Sequence, residues 1–122
     1  MKIELFVEKA IKQDKRNVFS SYKGILMNTP SEFHEFYKEY NPVDVEIKTK
    51  KMGNIWFCPA ERLDEIKSQY SFYPNSVFIF ATCNADPIFM EHGKIYTSYE
   101  SHYLPELLAD SLNTFLDLCF YK

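Results

Sequence analysis

Ser76-Val77-Phe78-Ile79-Phe80-Ala81-Thr82 decides how the rest of the chain is read. The run is apolar, β-branched or aromatic almost throughout, has the length of a strand rather than a helix, and is flanked by turn formers. A strand with no polar face is buried on both sides, which places it in the middle of a sheet. Cys83-Asn84-Ala85-Asp86-Pro87 then breaks the chain, because Asn and Asp bond their own backbone and Pro fixes φ and lacks an N–H. Beyond the break, Pro87-Ile88-Phe89-Met90-Glu91 and Lys94-Ile95-Tyr96-Thr97-Ser98-Tyr99 read as strands. His92-Gly93 between them is a two-residue hairpin turn in which Gly supplies φ > 0. The three strands form a meander.

Upstream, Val43, Val45 and Ile47 alternate with Asp44, Glu46 and Lys48, the pattern of a strand with one wet face. Lys48 to Asn54 is a lysine-bearing turn, which also blunts a sheet edge, and Ile55-Trp56-Phe57-Cys58 returns as the second strand of a hairpin. Four helices surround these strands in the sequence pattern. Ile3, Phe6, Val7, Ala10 and Ile11 line one stripe near the N-terminus. Thr29-Pro30-Ser31-Glu32 has the form of a capping box with Pro in the first turn, and leads into Phe33, Phe36, Tyr37 and Tyr40. Asn41-Pro42 ends that helix. Pro59 opens a third helix with Leu63, Ile66 and Tyr70 inward, and Leu108, Leu112, Phe115, Leu116 and Cys119 form a closing one. Val18 to Met27 reads as a connection with a short strand around Tyr22 to Leu26, while Ser71 to Asn75 and Ser101 to Pro105 read as loops. The expected class is α+β: one domain spanning 1–122, with a hairpin and a three-stranded meander in a largely antiparallel sheet covered by helices.

Composition bounds the function. At 122 residues, with 46% hydrophobic and 17% aromatic residues, the chain has material for one full core. Three glycines, none in a phosphate-loop pattern, argue against nucleotide cradles, and a net charge of −3 argues against nucleic acid or an anionic membrane as partner. That charge is compatible with a basic protein partner. The three cysteines, Cys58, Cys83 and Cys119, are widely spaced in apolar surroundings and read as reduced thiols. The N-terminal stripe is interrupted by charge, unlike a secretory signal, so the expected location is the cytoplasm.

His34, His92 and His102 form no metal-ligand spacing with one another or with the cysteines, and no metal or cofactor is expected. The best enzymatic candidates are Asp86, Glu91 and His102 around the meander ends, a carboxylate and imidazole set suited to a small hydrolase. No nucleophile, anion hole or cofactor loop accompanies them, and Asp86 before Pro87 is equally a turn residue bonding backbone N–H groups. The aromatic and acidic residues placed in loops and strand ends suit protein contact instead. Tyr73, Glu91, His92, Tyr99, Glu100, His102, Tyr103 and Glu106 are the candidates, since aromatics give interface area at low entropy cost and carboxylates steer basic partners.

Several short segments together resemble the SUKH superfamily, which contains bacterial immunity proteins and fungal regulators of cell-wall glucan synthesis. These are the buried strand running into Asp86-Pro87, the Ile88-Phe89 strand, the Gly93 turn and the Ile95-Tyr96 strand. The helix running into Asn41, the Trp56 strand with its following helix, and the Ser111-bearing closing helix complete the likeness, which covers roughly Pro30 to Phe120. Asn41, Trp56, Asp86, Pro87, Gly93 and Ser111 stand at its motif positions. Ala85 and Pro42 occupy positions where that superfamily usually has Gly. The resemblance implies a non-enzymatic immunity protein, a monomer or weak dimer, that occludes the active site of a toxin domain, typically a nuclease with a basic cleft. The same fold would also serve a regulatory scaffold of the cell-wall type.

Overall fold

The computed structural model describes residues 1–120. Its centre is a sheet of seven strands in chain order, every neighbouring pair antiparallel and the sheet not closed into a barrel. The strands are β1 (Val18–Ser20), β2 (Asn41–Lys48), β3 (Asn54–Phe57), β4 (Phe78–Cys83), β5 (Asp86–Glu91), β6 (Lys94–Tyr99) and β7 (His102–Ala109). Four helices pack on it: α1 (Ile3–Gln13), α2 (His34–Tyr40), α3 (Leu63–Gln69) and α4 (Leu112–Cys119). The fold class is therefore α+β. The expected hairpin and meander join in one continuous sheet, because β3 pairs with β4 through Trp56↔Thr82.

The run that opened the analysis forms β4, the fourth of the seven strands. Its alternate residues face two cores. Phe80 points to the larger one with Phe6, Phe33, Phe36, Phe57, Ile88, Ile95 and Phe115, under α1, α2 and α4. Ile79 points the other way, to Cys58, Ile66, Tyr70, Tyr73, Val77 and Phe89 under α3. The larger core is almost wholly phenylalanine and aliphatic, with rings such as Phe33–Phe80 at 4.7 Å and Phe57–Phe80 at 6.2 Å. The smaller core includes two tyrosines, Tyr70 and Tyr73, whose hydroxyls bond backbone carbonyls of the β4–β5 and β6–β7 turns.

Turn chemistry agrees with the chain at both meander hairpins. His92 (φ 54°) and Gly93 (φ 79°) are both left-handed, as a tight hairpin between Glu91 and Lys94 requires. Asn84 (φ 51°) and Ala85 (φ 72°) make the equivalent turn between Cys83 and Asp86. Asn41 ends α2 and begins β2. Its buried amide accepts from the Ala60 N–H at 2.8 Å and donates to Glu61 at 2.8 Å, tying the start of β2 to the turn before α3.

Five local expectations need correction. The early strand is Val18–Ser20, not Tyr22 to Leu26; Val18 and Phe19 have the shape for pairing with β2, while Gly24 does not. Thr29 does not cap a helix: its hydroxyl donates to Met27 O, Pro30 is extended, and a tight turn over Ser31–Phe33 precedes α2. Ile11 lies outside the buried stripe of α1. Ser101 to Pro105 is not a loop, because β7 runs from His102 to Ala109 as the outermost strand, where Pro105 lacks only a donor that an edge does not need. Leu108 consequently belongs to β7, and α4 starts only at Leu112, capped by the Ser111 hydroxyl, which accepts from the Thr114 N–H at 3.1 Å.

Candidate protein-binding surface

The antiparallel register assigns the candidate residues to two ends of the sheet. Trp56↔Thr82, Cys83↔Asp86 and Tyr99↔His102 bring the β4–β5 turn and the β6–β7 turn to one end. Glu91, His92, Gly93 and Lys94 lie at the other. Asp86 and Glu91 begin and end β5, about 17 Å apart along the strand, and odd spacing turns their side chains to opposite faces. Asp86 accepts the Glu100 N–H at 3.1 Å, the turn role open to it from sequence. The trio Asp86, Glu91 and His102 is not gathered into one cleft. Among the described residues, no group of His, Cys, Asp or Glu is placed to hold a metal ion.

Tyr73 is not an exposed loop contact. It is 5% exposed and packs its ring on Phe89 and Tyr103, at 5.9 and 5.2 Å between centroids. Its hydroxyl donates to the carbonyl of Tyr99 and, at 3.4 Å, to that of His102. A buried tyrosine places its O–H on a partner, and here the partner is the β6–β7 turn. Ser98 reinforces the turn, with its hydroxyl donating to His102 O at 3.0 Å and accepting the Leu104 N–H at 2.6 Å. The turn is therefore braced from inside by two buried hydroxyls.

What this bracing presents outward is the exposed ring of Tyr99 stacked on His102 at 4.9 Å, with Glu100 exposed between them in sequence. From there β7 runs along the open edge with Leu104 58% and Leu107 51% exposed and Glu106 exposed beside them. Exposed leucines on a long outer strand leave apolar area in water. Neither leucine was among the sequence candidates. The signal was an apolar strand-length run, Tyr103 to Ala109, bounded by Ser101 and Asp110. Pro105 hid it, although Pro is compatible with an edge strand.

At the far end, Glu91 accepts from the Ser76 hydroxyl at 2.5 Å and from Tyr103 at 2.6 Å. These hydrogen bonds, Ser76 first, hold its carboxyl below the usual glutamate range. Burial, followed by the Glu91 contact, pushes Tyr103 up to about 12. Glu91 and Tyr103 thus clamp the loop before β4 to β5 and β7, and His92 is exposed in its turn. The thiols have no reactive surroundings: burial pushes Cys58 up to about 12, and raises Cys83 and Cys119 as well. No helix among the described residues is long and apolar enough to cross a membrane. No family model, curated protein or solved structure matches the chain.

Proposed function

We propose that the protein is a non-enzymatic binding domain that neutralises a basic protein partner by covering its active site, as an immunity protein does for a nuclease-type toxin. The observation that carries this reading is the open β7 edge, which starts at the braced Tyr99–His102 pair beside exposed Glu100 and continues with Leu104, Glu106 and Leu107 exposed along the strand. Apolar area supplies the contact and the carboxylates supply complementarity to a basic cleft. Because the turn is fixed by Tyr73 and Ser98, little ordering is left to oppose association. The resemblance of the Asp86-Pro87 and Gly93 segments to the SUKH superfamily supports the same role.

The test is co-expression with nuclease-type toxin domains that have basic clefts, beginning with any encoded beside this protein. The domain should restore growth and co-elute with the toxin as a stable complex. The double variant Leu104→Thr/Leu107→Thr should remain folded yet bind about tenfold more weakly, since the two changes together remove apolar contact area worth about 1.4 kcal/mol. Unrestored growth together with separate elution refutes the proposal.

A further inference from the structure

Next to the braced turn, on the face that carries α3, the sheet is only half covered. Between α3 and the β4–β5 turn lies a cavity of about 260 Å³ lined by Trp56, Arg62, Ile66, Gln69, Tyr70, Thr82, Ala85 and Glu100. Its construction follows from local sequence. Trp56 and Thr82 are direct cross-strand neighbours, so the indole lies beside a short side chain that leaves space over the sheet. Tyr70, at the end of α3, forms a second aromatic wall, and its hydroxyl donates to Ala85 O at 2.8 Å, which fixes the ring. Glu100, from the β6–β7 turn, supplies a carboxylate at the rim.

The charges in this slot are not balanced. Arg62 lies over the Trp56 ring at 5.3 Å and is held by both oxygens of Glu65, at 3.1 and 3.0 Å, so its charge is already matched. Glu100 has no such cationic partner in an ion pair or side-chain hydrogen bond among the described residues, and Asp86 stands next to it through the 3.1 Å bond to its backbone N–H. Burial raises the Tyr70 phenol, and Glu100 and Asp86 raise it further, in keeping with two carboxylates close to this wall.

We propose that this slot is the receptor for an arginine side chain presented by the partner protein. A planar guanidinium stacks on aromatic walls and offers donors to a carboxylate at the rim, which a lysine ammonium does less well. The existing Arg62–Trp56 contact is the same chemistry within the chain. Glu100 belongs both to the slot and to the exposed turn, so one partner would cover the two together. The inference deepens the binding role proposed above and rests on it for the identity of the ligand's carrier.

Trp56 is the only tryptophan, which makes the slot self-reporting. The experiment titrates the intact protein with acetyl-Gly-Arg-Gly-amide and, in parallel, with the citrulline peptide of identical shape and no charge. The readouts are Trp56 fluorescence and its indole N–H resonance. A saturable response to the arginine peptide, absent with citrulline, is expected. Glu100→Gln should weaken it about fivefold, equivalent to about 1 kcal/mol, and the slot-filling Thr82→Phe should abolish it while the remaining amide spectrum stays folded. Equal responses to both peptides, no response, or a response unchanged by both variants would overturn the slot. These readouts involve no partner protein. Failure of toxin neutralisation with arginine binding intact therefore counts against the binding role and not against the slot, whereas neutralisation that persists at full strength in Thr82→Phe counts against the slot alone.

Discussion

The two edges of the sheet are finished in opposite ways. At the β1 edge, pairing reaches only as far as Val18 opposite Asp44, yet β2 continues to Lys48, and side chains from the end of α1 and the turn after it take over the missing strand's role. The Gln13 amide both accepts from and donates to the Lys48 backbone, at 2.8 and 3.0 Å. Buried Asn17 accepts the Glu46 N–H at 2.9 Å and donates to Ala10 O at 2.8 Å. At the β7 edge no helix or side-chain amide among the described residues plays this part; an eight-residue strand faces outward, with Pro105 deleting one donor and Leu104 and Leu107 exposed. A chain that closes one edge with such specific bonds has the means to close the other. Under the proposed binding role, β7 is the edge whose openness would be used, with Pro105 and Glu106 as guards against indiscriminate strand pairing.

If that contrast is right, substitutions at the two edges should have opposite consequences. Asn17→Ala leaves the Glu46 N–H without its partner and removes one of the two bonds to Ala10 O, which keeps the Asp14 N–H, and should cost about 1–2 kcal/mol, read as a lowered urea midpoint with unchanged slope. Midway between the edges, in the β4–β5 turn, Ala85→Gly should stabilise by about 0.5 kcal/mol, since the left-handed turn costs Ala roughly 1 kcal/mol and the added freedom of Gly in the unfolded chain takes part of it back. Leu104→Thr/Leu107→Thr should shift stability by less than about 0.5 kcal/mol per site, because these side chains are already half in water. A large loss there would mean that β7 leucines hold the fold rather than meet a partner.

The Glu91 clamp adds a pH dependence to the same side. Its carboxyl titrates below the ordinary value in the folded protein, so its contribution is present above the unfolded pKa of about 4.5 and is lost as pH falls through the lower folded value. The difference in urea midpoint between wild type and Glu91→Gln should therefore shrink between pH 7 and pH 3. A difference that holds constant would show that Glu91 does not act through its charge.

Much of this architecture was legible because it is written locally. The β4–β6 meander follows from one uniformly apolar run and the turn at His92-Gly93, and α1 from a stripe of spaced apolar residues. What escaped depends on register. Whether Glu91 and Asp86 meet is settled by which ends of β5 they occupy once β4 and β6 are in place. Tyr73 sits in a stretch with Pro74 and Asn75 that looks solvated, but its hydroxyl finds two carbonyls 26 and 29 residues away. Pro105 masked β7 because Pro is excluded from strands that need every donor, and only the finished sheet reveals that this strand does not. The slot around Trp56 and Glu100 joins β3, α3 and two turns, which no spacing pattern records.

The proposal that this protein works through its open edge is tested most directly by amide hydrogen exchange on the domain alone and in complex with a basic toxin domain that it neutralises on co-expression. Slowed exchange confined to the outward amides of β7 and the β6–β7 turn, residues 99 to 109, is the result the account predicts. Protection that falls instead on α1 and α2, with β7 exchanging at the same rate in both samples, would contradict it.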